Sequence, residues 1–555
     1  MSGRSHPALA LAVAGLLALF FVLPVAAVFH VAFTEPDGAP TLGHVQAFMQ
    51  LSLMRESFAN SLYVACMTVL GASLIAVPLA YFTARFEFRG AIAIRTLGVL
   101  PLVMPPFVGA VALQLLFGRS GSFNLLLEEG FGAALPVMEG LDGVVFVESL
   151  HYFPFILMNL TVAMENIDAS MEEAAQNLGA HGLRLARRIV LPLAMPGFVA
   201  GAALVFIKVF DDLATPLVMG QTNLLAPQAY LRITSIGIED PVGYVIGVIM
   251  VGFSIFALWL SQRTMRGRDY ATATRGGRGA ARRRLGRGQA VAAWGWIAIV
   301  LLLVLSPHAG ILLLSLASVW SFSVLPDGYT LAHYATVLTD APQMIANTLL
   351  YCGIAAGADV VVGVAIAHLV LRTRLPGRHA LDFTATAALA IPGVVLGIGL
   401  LRVFRGVKLP FMDEPLVSSW VILVIALAVR RLPYALRSCM AGLQQLSVAL
   451  EEAAQNLGAT PLSTVRRIVI PLTLGGMLAG FVASFITAAV ELSATLLLVA
   501  RGSDAPMAYG IYLYMQSIAG RGPGAALGVA AVLIVAAGTY VSHRALGRRA
   551  GAASV

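Results

Sequence analysis

Long apolar runs separated by short polar connections occupy almost the whole chain. FFVLPVAAVFHVAF, NSLYVACMTVLGASLIAVPLAYF and AAVLIVAAGTYV are continuous in their apolarity and show no alternation of period two. A membrane strand would alternate over about ten residues, whereas a spanning helix needs about 20 apolar ones. The pattern therefore predicts helices. Spans are expected near 8–30, 61–84, 93–116, 144–164, 194–218 and 241–260, then near 291–317, 343–371, 381–402, 417–437, 473–500 and 522–542. That is about twelve membrane helices in an all-α integral membrane protein. The opening run, MSGRSHPALALAVAGLLALFFVLP, has a basic leader like a signal peptide, but its long apolar core predicts a retained first helix.

Composition excludes a soluble alternative. Of 555 residues 59% are apolar and 12% charged, and a soluble domain needs more polar surface than that. Charge then orients the spans. Arg85, Arg89 and Arg95; Arg184, Arg187 and Arg188; the Arg-rich stretch 263–289; Arg372, Arg374 and Arg378; Arg466 and Arg467; and Arg544, Arg548 and Arg549 all fall on one side. The positive-inside rule makes that side cytoplasmic, with both termini. Glu128, Glu129, Glu139, Asp142, Glu239, Asp240, Asp413 and Glu414 fall on the other. Residues 263–289 are read as a flexible cytoplasmic linker near anionic lipid headgroups rather than a nucleic-acid arm.

The chain repeats itself. ANSLYVACMTVLGASLIAVPLAYFTARFEFRG at 59–90 matches ANTLLYCGIAAGADVVVGVAIAHLVLRTRLPG at 346–377, and Pro105 matches Pro392, both at an offset of 287. EEAAQNLGA occurs at Glu172–Ala180 and unchanged at Glu451–Ala459, an offset of 279, and RRIVLPL at 187–193 returns as RRIVIPL at 466–472. Each half, 1–262 and 290–555, thus carries about six spans in the same order, which gives parallel repeats about an axis along the membrane normal. A seam between the halves is the natural solute path.

EEAAQNLGA suits a short amphipathic helix. Ser170 is expected to cap it with Glu173 as its reciprocal partner, a box that Ser447 is not placed to repeat. Gly179 and Gly458 are expected to end the helix, and Pro192 and Pro471 to bend or restart the next one. Nothing here is chemistry for catalysis. The chain has no nucleophile–base constellation, no GxxxxGK[ST] loop and no metal-ligand cluster, and Cys66, Cys352 and Cys439 are read as packing residues. No catalytic residue, metal or cofactor is expected. An exposed phrase repeated in a pseudo-symmetric chain instead predicts a repeated partner.

Glu-Glu-Ala-Ala, a glycine seven residues after the first Glu, then a basic stretch and Leu-Pro or Ile-Pro, resembles the signature loop of binding-protein-dependent ABC importer permeases. The resemblance covers nearly the whole chain and is to the fused type, similar to permeases for 2-aminoethylphosphonate, ferric iron and thiamine. It implies coupling loops at 170–193 and 449–472 that dock two copies of a cytoplasmic ATPase through Glu172, Glu173, Ala174, Gly179, Glu451, Glu452, Ala453 and Gly458. It also implies a periplasmic solute-binding protein, a multi-pass place in the bacterial inner membrane, and import as the direction. The chain itself is then no enzyme, because its partner hydrolyses ATP.

The solute is harder to read. FDDLATPLVMGQTNLLAPQAYLRITSIGIEDPVGYVIGVIMV at 210–251 resembles 2-aminoethylphosphonate permeases, which implies a small anionic or zwitterionic solute; iron(III) is the alternative. Ionisable residues within spans mark interiors and paths. Lys208, Asp211, Asp212 and, in the matching helix, Glu491 are the candidates for a path or gate. Lys208 is expected to pair with an aspartate one turn away. His368 is expected near the cytoplasmic end of its span, and Arg402 and Arg405 at a basic outer mouth. An ion-coupled secondary carrier is the more distant alternative, and would leave the duplicated phrase unexplained; a scaffold without transport would need no polar seam.

Overall fold

The structure is a computed structural model that describes residues 5–87, 94, 97–98, 100–265, 283–410 and 413–552. Arg89, Arg95 and most of the predicted linker lie outside the described residues. Among the described residues, ten helices are long and apolar enough to cross a membrane, and a helix pair bent by 111° at Ile391–Pro392 can supply an eleventh. The helices used below are α1 (Pro7–Phe33), α2 (Ser52–Arg85), α3 (Pro106–Phe117), α4 (Gly140–Glu165), α5 (Ala169–Asn177), α6 (Leu191–Asp211) and α7 (Pro241–Met265) in the first half. The second half has α8 (Arg287–Leu316), α9 (Pro342–Arg372), α10 (Gly393–Phe404), α11 (Trp420–Gln445), α12 (Val448–Asn456), α13 (Ile470–Ala489) and α14 (Arg521–Gly538). The remaining predicted span is α11, which is long enough to cross but carries Arg430, Arg431 and Arg437.

Four predicted spans have different limits for local reasons. The expected helix at 93–116 is broken at Pro105, which is extended (φ −58°, ψ 137°) and has no N–H to continue a preceding turn, and α3 begins at Pro106. Pro392 does the same before α10. The spans expected at 194–218 and 473–500 stop at Asp211 and Ala489, and short helices follow at Ala214–Val218 and Thr495–Leu498.

Each half is built on a triad. In the first, α2, α4 and α6 pack on one another; in the second, α9, α11 and α13 do. The outer helices cross over. α1 packs on α10 of the second half, and α8 packs on α3 of the first, so the halves clasp each other reciprocally. The short parallel pairing of Phe86–Glu87 with Arg283–Arg284 adds a backbone tie.

Lipid offers helices no hydrophobic reason to associate, so close backbone approach must supply the attraction. Glycines provide it in register in both triads. A Cβ on Gly197 would sit 2.4 Å from the Ala163 Cβ, and one on Gly201 would sit 2.6 Å from the Ile156 Cα. At the matching positions, a Cβ on Gly476 would sit 2.8 Å from the Ser438 carbonyl oxygen, and one on Gly480 would sit 3.0 Å from the Ala435 Cα. These two Gly-x-x-x-Gly pairs fasten α6 to α4 and α13 to α11. Gly201→Leu is therefore expected to destabilise the protein by about 1–3 kcal/mol through forced backbone separation, read as a lowered thermal unfolding midpoint in detergent. The same change at Gly252, whose Cβ would meet nothing within 4 Å, is the control and should leave the midpoint in place.

Candidate functional site

The two copies of EEAAQNLGA form α5 and α12, each the link between the two helices joined by a glycine pair. Both begin on a side-chain cap, but not the one expected. Asp168, not Ser170, caps α5, accepting from the Ser170 N–H at 2.9 Å. Ser447, at the matching position, caps α12 and accepts from the Ala449 N–H at 3.3 Å. The capping is thus equivalent in the two copies, and Glu173 takes no part in a box.

Both helices end identically. Gly179 and Gly458 adopt φ of +86° and +89°, which favours glycine because a Cβ would meet the backbone. The N–H of Ala180 donates to the Ala175 carbonyl, and that of Gly179 to the Gln176 carbonyl, both at 2.9 Å. Ala459 and Gly458 repeat the two bonds with Ala454 and Gln455. This double closure satisfies the last carbonyls of each helix. Beyond it, Ala186–Val190 and Val465–Val469 form single wide turns leading directly into α6 and α13. Pro192 and Pro471 stand in the first turn of α6 and α13, directly after the wide turn, where a helix tolerates proline.

The faces of α5 and α12 divide sharply. Glu173, Ala174, Glu452 and Ala453 are exposed, and beside them Leu178 and Leu457 are 90% and 89% exposed. Glu172 and Glu451 are buried. Arg85 pairs with Glu172 at 2.8 Å and Arg372 with Glu451 at 2.7 Å. Each of the two matched helices thus holds one apolar residue out of the core.

At the seam, four charged groups from both halves meet. Arg430 on α11 donates to Asp211 at the end of α6, 2.6 Å away, and to Glu491 just beyond α13, 2.5 Å away. Asp211 also accepts from the Gly393 N–H at the start of α10, at 2.7 Å. Arg431 lies 4.0 Å from the other Glu491 oxygen. Among the described residues no ion pair joins Lys208 to Asp211 or Asp212. The expected one-turn pair is displaced because an arginine from the other half reaches Asp211 with better geometry.

Asp212 and Glu491 occupy equivalent places and share a local task. Asp212 accepts from the N–H groups of Ala214 (3.0 Å) and Thr215 (3.3 Å) and from the Thr215 hydroxyl (2.6 Å). Glu491 accepts from the Ala494 N–H at 3.1 Å. Each holds the start of the short helix that follows it. Asp212 also lines a cavity of about 10 Å³ with the fully buried Glu148. Glu148, Arg430, Arg431 and Asp359, whose carboxylate accepts from the Ser484 hydroxyl, were not singled out from sequence, although charge within a predicted span is the signal that exposes them.

The outer mouth is less basic than the sequence implies. Arg402 and Arg405 both donate to Glu239 of the first half, at 2.8 Å each at their shortest. His368 lines an apolar cavity of about 230 Å³ with Leu9, Cys439 and Val469. The three cysteines are unpaired.

Comparison with known sequences returns the family described as binding-protein-dependent transport system inner membrane component, matched twice, over residues 76–267 and 359–551. The putative ferric transport system permease protein FbpB 1 of Haemophilus influenzae is 28% identical over 493 residues, covering 87% of this chain and 76% of the relative. The ferric transport system permease protein FbpB of Actinobacillus pleuropneumoniae is 28% identical over 507 residues, covering 89% and 72%. A probable molybdenum ABC transporter permease protein of Haloferax volcanii is 28% identical over 253 residues, covering 45% of this chain and 88% of the relative.

Removing the seam cation leaves two buried carboxylates facing each other. Arg430→Met is expected to cost about 3–5 kcal/mol, seen as a loss of folded protein or a lowered unfolding midpoint in detergent. Adding Asp211→Asn and Glu491→Gln to it should recover most of the loss. No recovery in the triple variant would mean that Arg430 is held by something other than these carboxylates.

Proposed function

Since the chain belongs to the binding-protein-dependent transport system inner membrane components, we propose that it is the fused permease of an ATP-driven importer whose cargo is ferric iron. Membership makes it a non-catalytic, multi-pass inner-membrane transport subunit, and implies an ATPase and a solute-binding protein as its partners. The iron reading rests on one observation. Two relatives that match 87% and 89% of the chain, through both halves, are named for ferric transport, and a third that matches 82% carries no solute in its name. This favours iron(III) over 2-aminoethylphosphonate. The pairing of Arg402 and Arg405 with Glu239 also makes the expected basic mouth less basic.

In this reading, two ATPase subunits dock on α5 and α12. The contact surface is Glu173, Ala174 and Leu178 in one copy and Glu452, Ala453 and Leu457 in the other, with Gly179 and Gly458 fixing the turn beneath. Solute passes along the seam between the triads. Lys208, Asp211, Asp212 and Glu491 line or gate it, and Arg430 holds it closed by joining Asp211 to Glu491 across the halves. The short helices held by Asp212 and Glu491 are the parts of the seam with least continuous helix behind them, and so the natural moving pieces.

Two measurements test this. Leu178→Asp with Leu457→Asp should reduce co-purification of the ATPase at least tenfold, about 1.4 kcal/mol of binding, with the permease itself still folded. Gly179→Val or Gly458→Val should leave ATP hydrolysis running with little uptake; normal coupling in both would refute the docking assignment. In proteoliposomes with the cognate binding protein, uptake of radiolabelled ferric iron but not of 2-aminoethylphosphonate is the expected result. The reverse would return the cargo to the aminophosphonate reading.

A further inference from the structure

The two adjacent glutamates of each coupling helix point in opposite directions. Glu173 and Glu452 face water. Glu172 and Glu451 face inward and meet Arg85 and Arg372, the last residues of α2 and α9. Both partners are largely removed from solvent: side-chain exposure is 4% and 6% in the first pair and 11% and 11% in the second. Arg372 also donates to the carbonyls of Leu443 (3.0 Å) and Leu446 (2.8 Å), at the end of α11. It therefore joins three elements: α9, α11 and the coupling helix.

The pairing is reproduced although the chain between the partners is not. Arg85 and Glu172 are 87 residues apart and Arg372 and Glu451 are 79 apart, yet each arginine closes on the same position of its coupling helix. The outer connections of the first half are longer, and the contact has been kept. Neither α2 nor α9 is a chain neighbour of the coupling helix, so covalent connectivity does not oblige it to move with that helix. α4 and α6 are the neighbours, and they follow through the backbone.

We propose that Arg85–Glu172 and Arg372–Glu451 are a matched pair of latches that make the third helix of each triad travel with its coupling helix. A buried guanidinium cannot leave its carboxylate without leaving both charges unsolvated, so the pair holds while the helices move as a body. Glu172 and Glu451 are positioning residues in this scheme, distinct from the outward Glu173 and Glu452 that meet the partner. The proposal rests on the docking reading above for its consequence in transport, but the latch itself is a property of this chain alone.

The test uses the full chain. In detergent, without any partner, Glu172→Gln with Glu451→Gln should speed amide exchange in 170–177 and 449–456 about tenfold, the signature of a locally loosened unit. With the ATPase and binding protein in proteoliposomes, the same variant should keep the wild-type ratio of bound ATPase. It should nevertheless consume about tenfold more ATP per solute moved, a lost coupling between sites. Exchanging the charges, Arg85→Glu with Glu172→Arg and Arg372→Glu with Glu451→Arg, should return both readouts to within about threefold of wild type. If the neutral variant fails to accumulate, Arg85→Lys with Arg372→Lys, which keeps the charge but shortens the fork, takes its place in the exchange measurement, with faster exchange again expected. Unchanged exchange and coupling, or a charge exchange that rescues neither, would overturn the latch. Wild-type protein that binds no ATPase would overturn the docking reading instead, with the amide exchange still deciding the latch.

Discussion

The close approach of α6 to α4 and of α13 to α11, at Gly197, Gly201, Gly476 and Gly480, is the contact from which the rest of the architecture is hung. Helices in lipid gain nothing from burying leucine against leucine, so they must meet backbone to backbone to hold a fixed angle. Once those pairs are fixed, the segment that joins each of them is the short helix α5 or α12, capped by Asp168 or Ser447 and closed by a left-handed glycine. Its exposed leucine is followed by a single wide turn that leads directly into α6 or α13.

Charge does at the seam what glycine does within the triads. An ionised side chain in an apolar bundle has to find its partner inside the protein. Here the first half supplies Asp211, the second supplies Arg430 and Glu491, and the resulting bridge crosses between them. The fusion of two halves into one chain keeps that asymmetric bridge in register. The position matching Arg430 in the first half is His151, so the bridge has no counterpart there. The duplication is therefore strict at α5 and α12 and relaxed at the charged seam.

Sequence periodicity and repetition reached far. The helical class, the two repeated halves and the glycine turn after the phrase EEAAQNLGA all follow from local rules. Apolar run length, arginine placement and the absence of a β-carbon at a left-handed residue each act within a few residues of chain. The same rules failed where two local options were close in energy. Asp168 displaced Ser170 as the cap because either short polar side chain can reach the first free N–H groups.

What only the tertiary structure decided is which charge meets which. Lys208 and Asp211 are neighbours on one helix, yet Asp211 belongs to Arg430, 219 residues away. Glu172 and Glu173 are adjacent in a phrase that looks wholly exposed, yet one closes a buried pair with Arg85 and the other faces water. Arg402 and Arg405 look like a basic mouth until Glu239 arrives from the other half. In each case the sequence determined that a charge stands at the end or within the body of a helix. Its partner depended on the packing of helices far apart in the chain, because an unsolvated charge is satisfied by proximity in space and carries no record of it in local pattern.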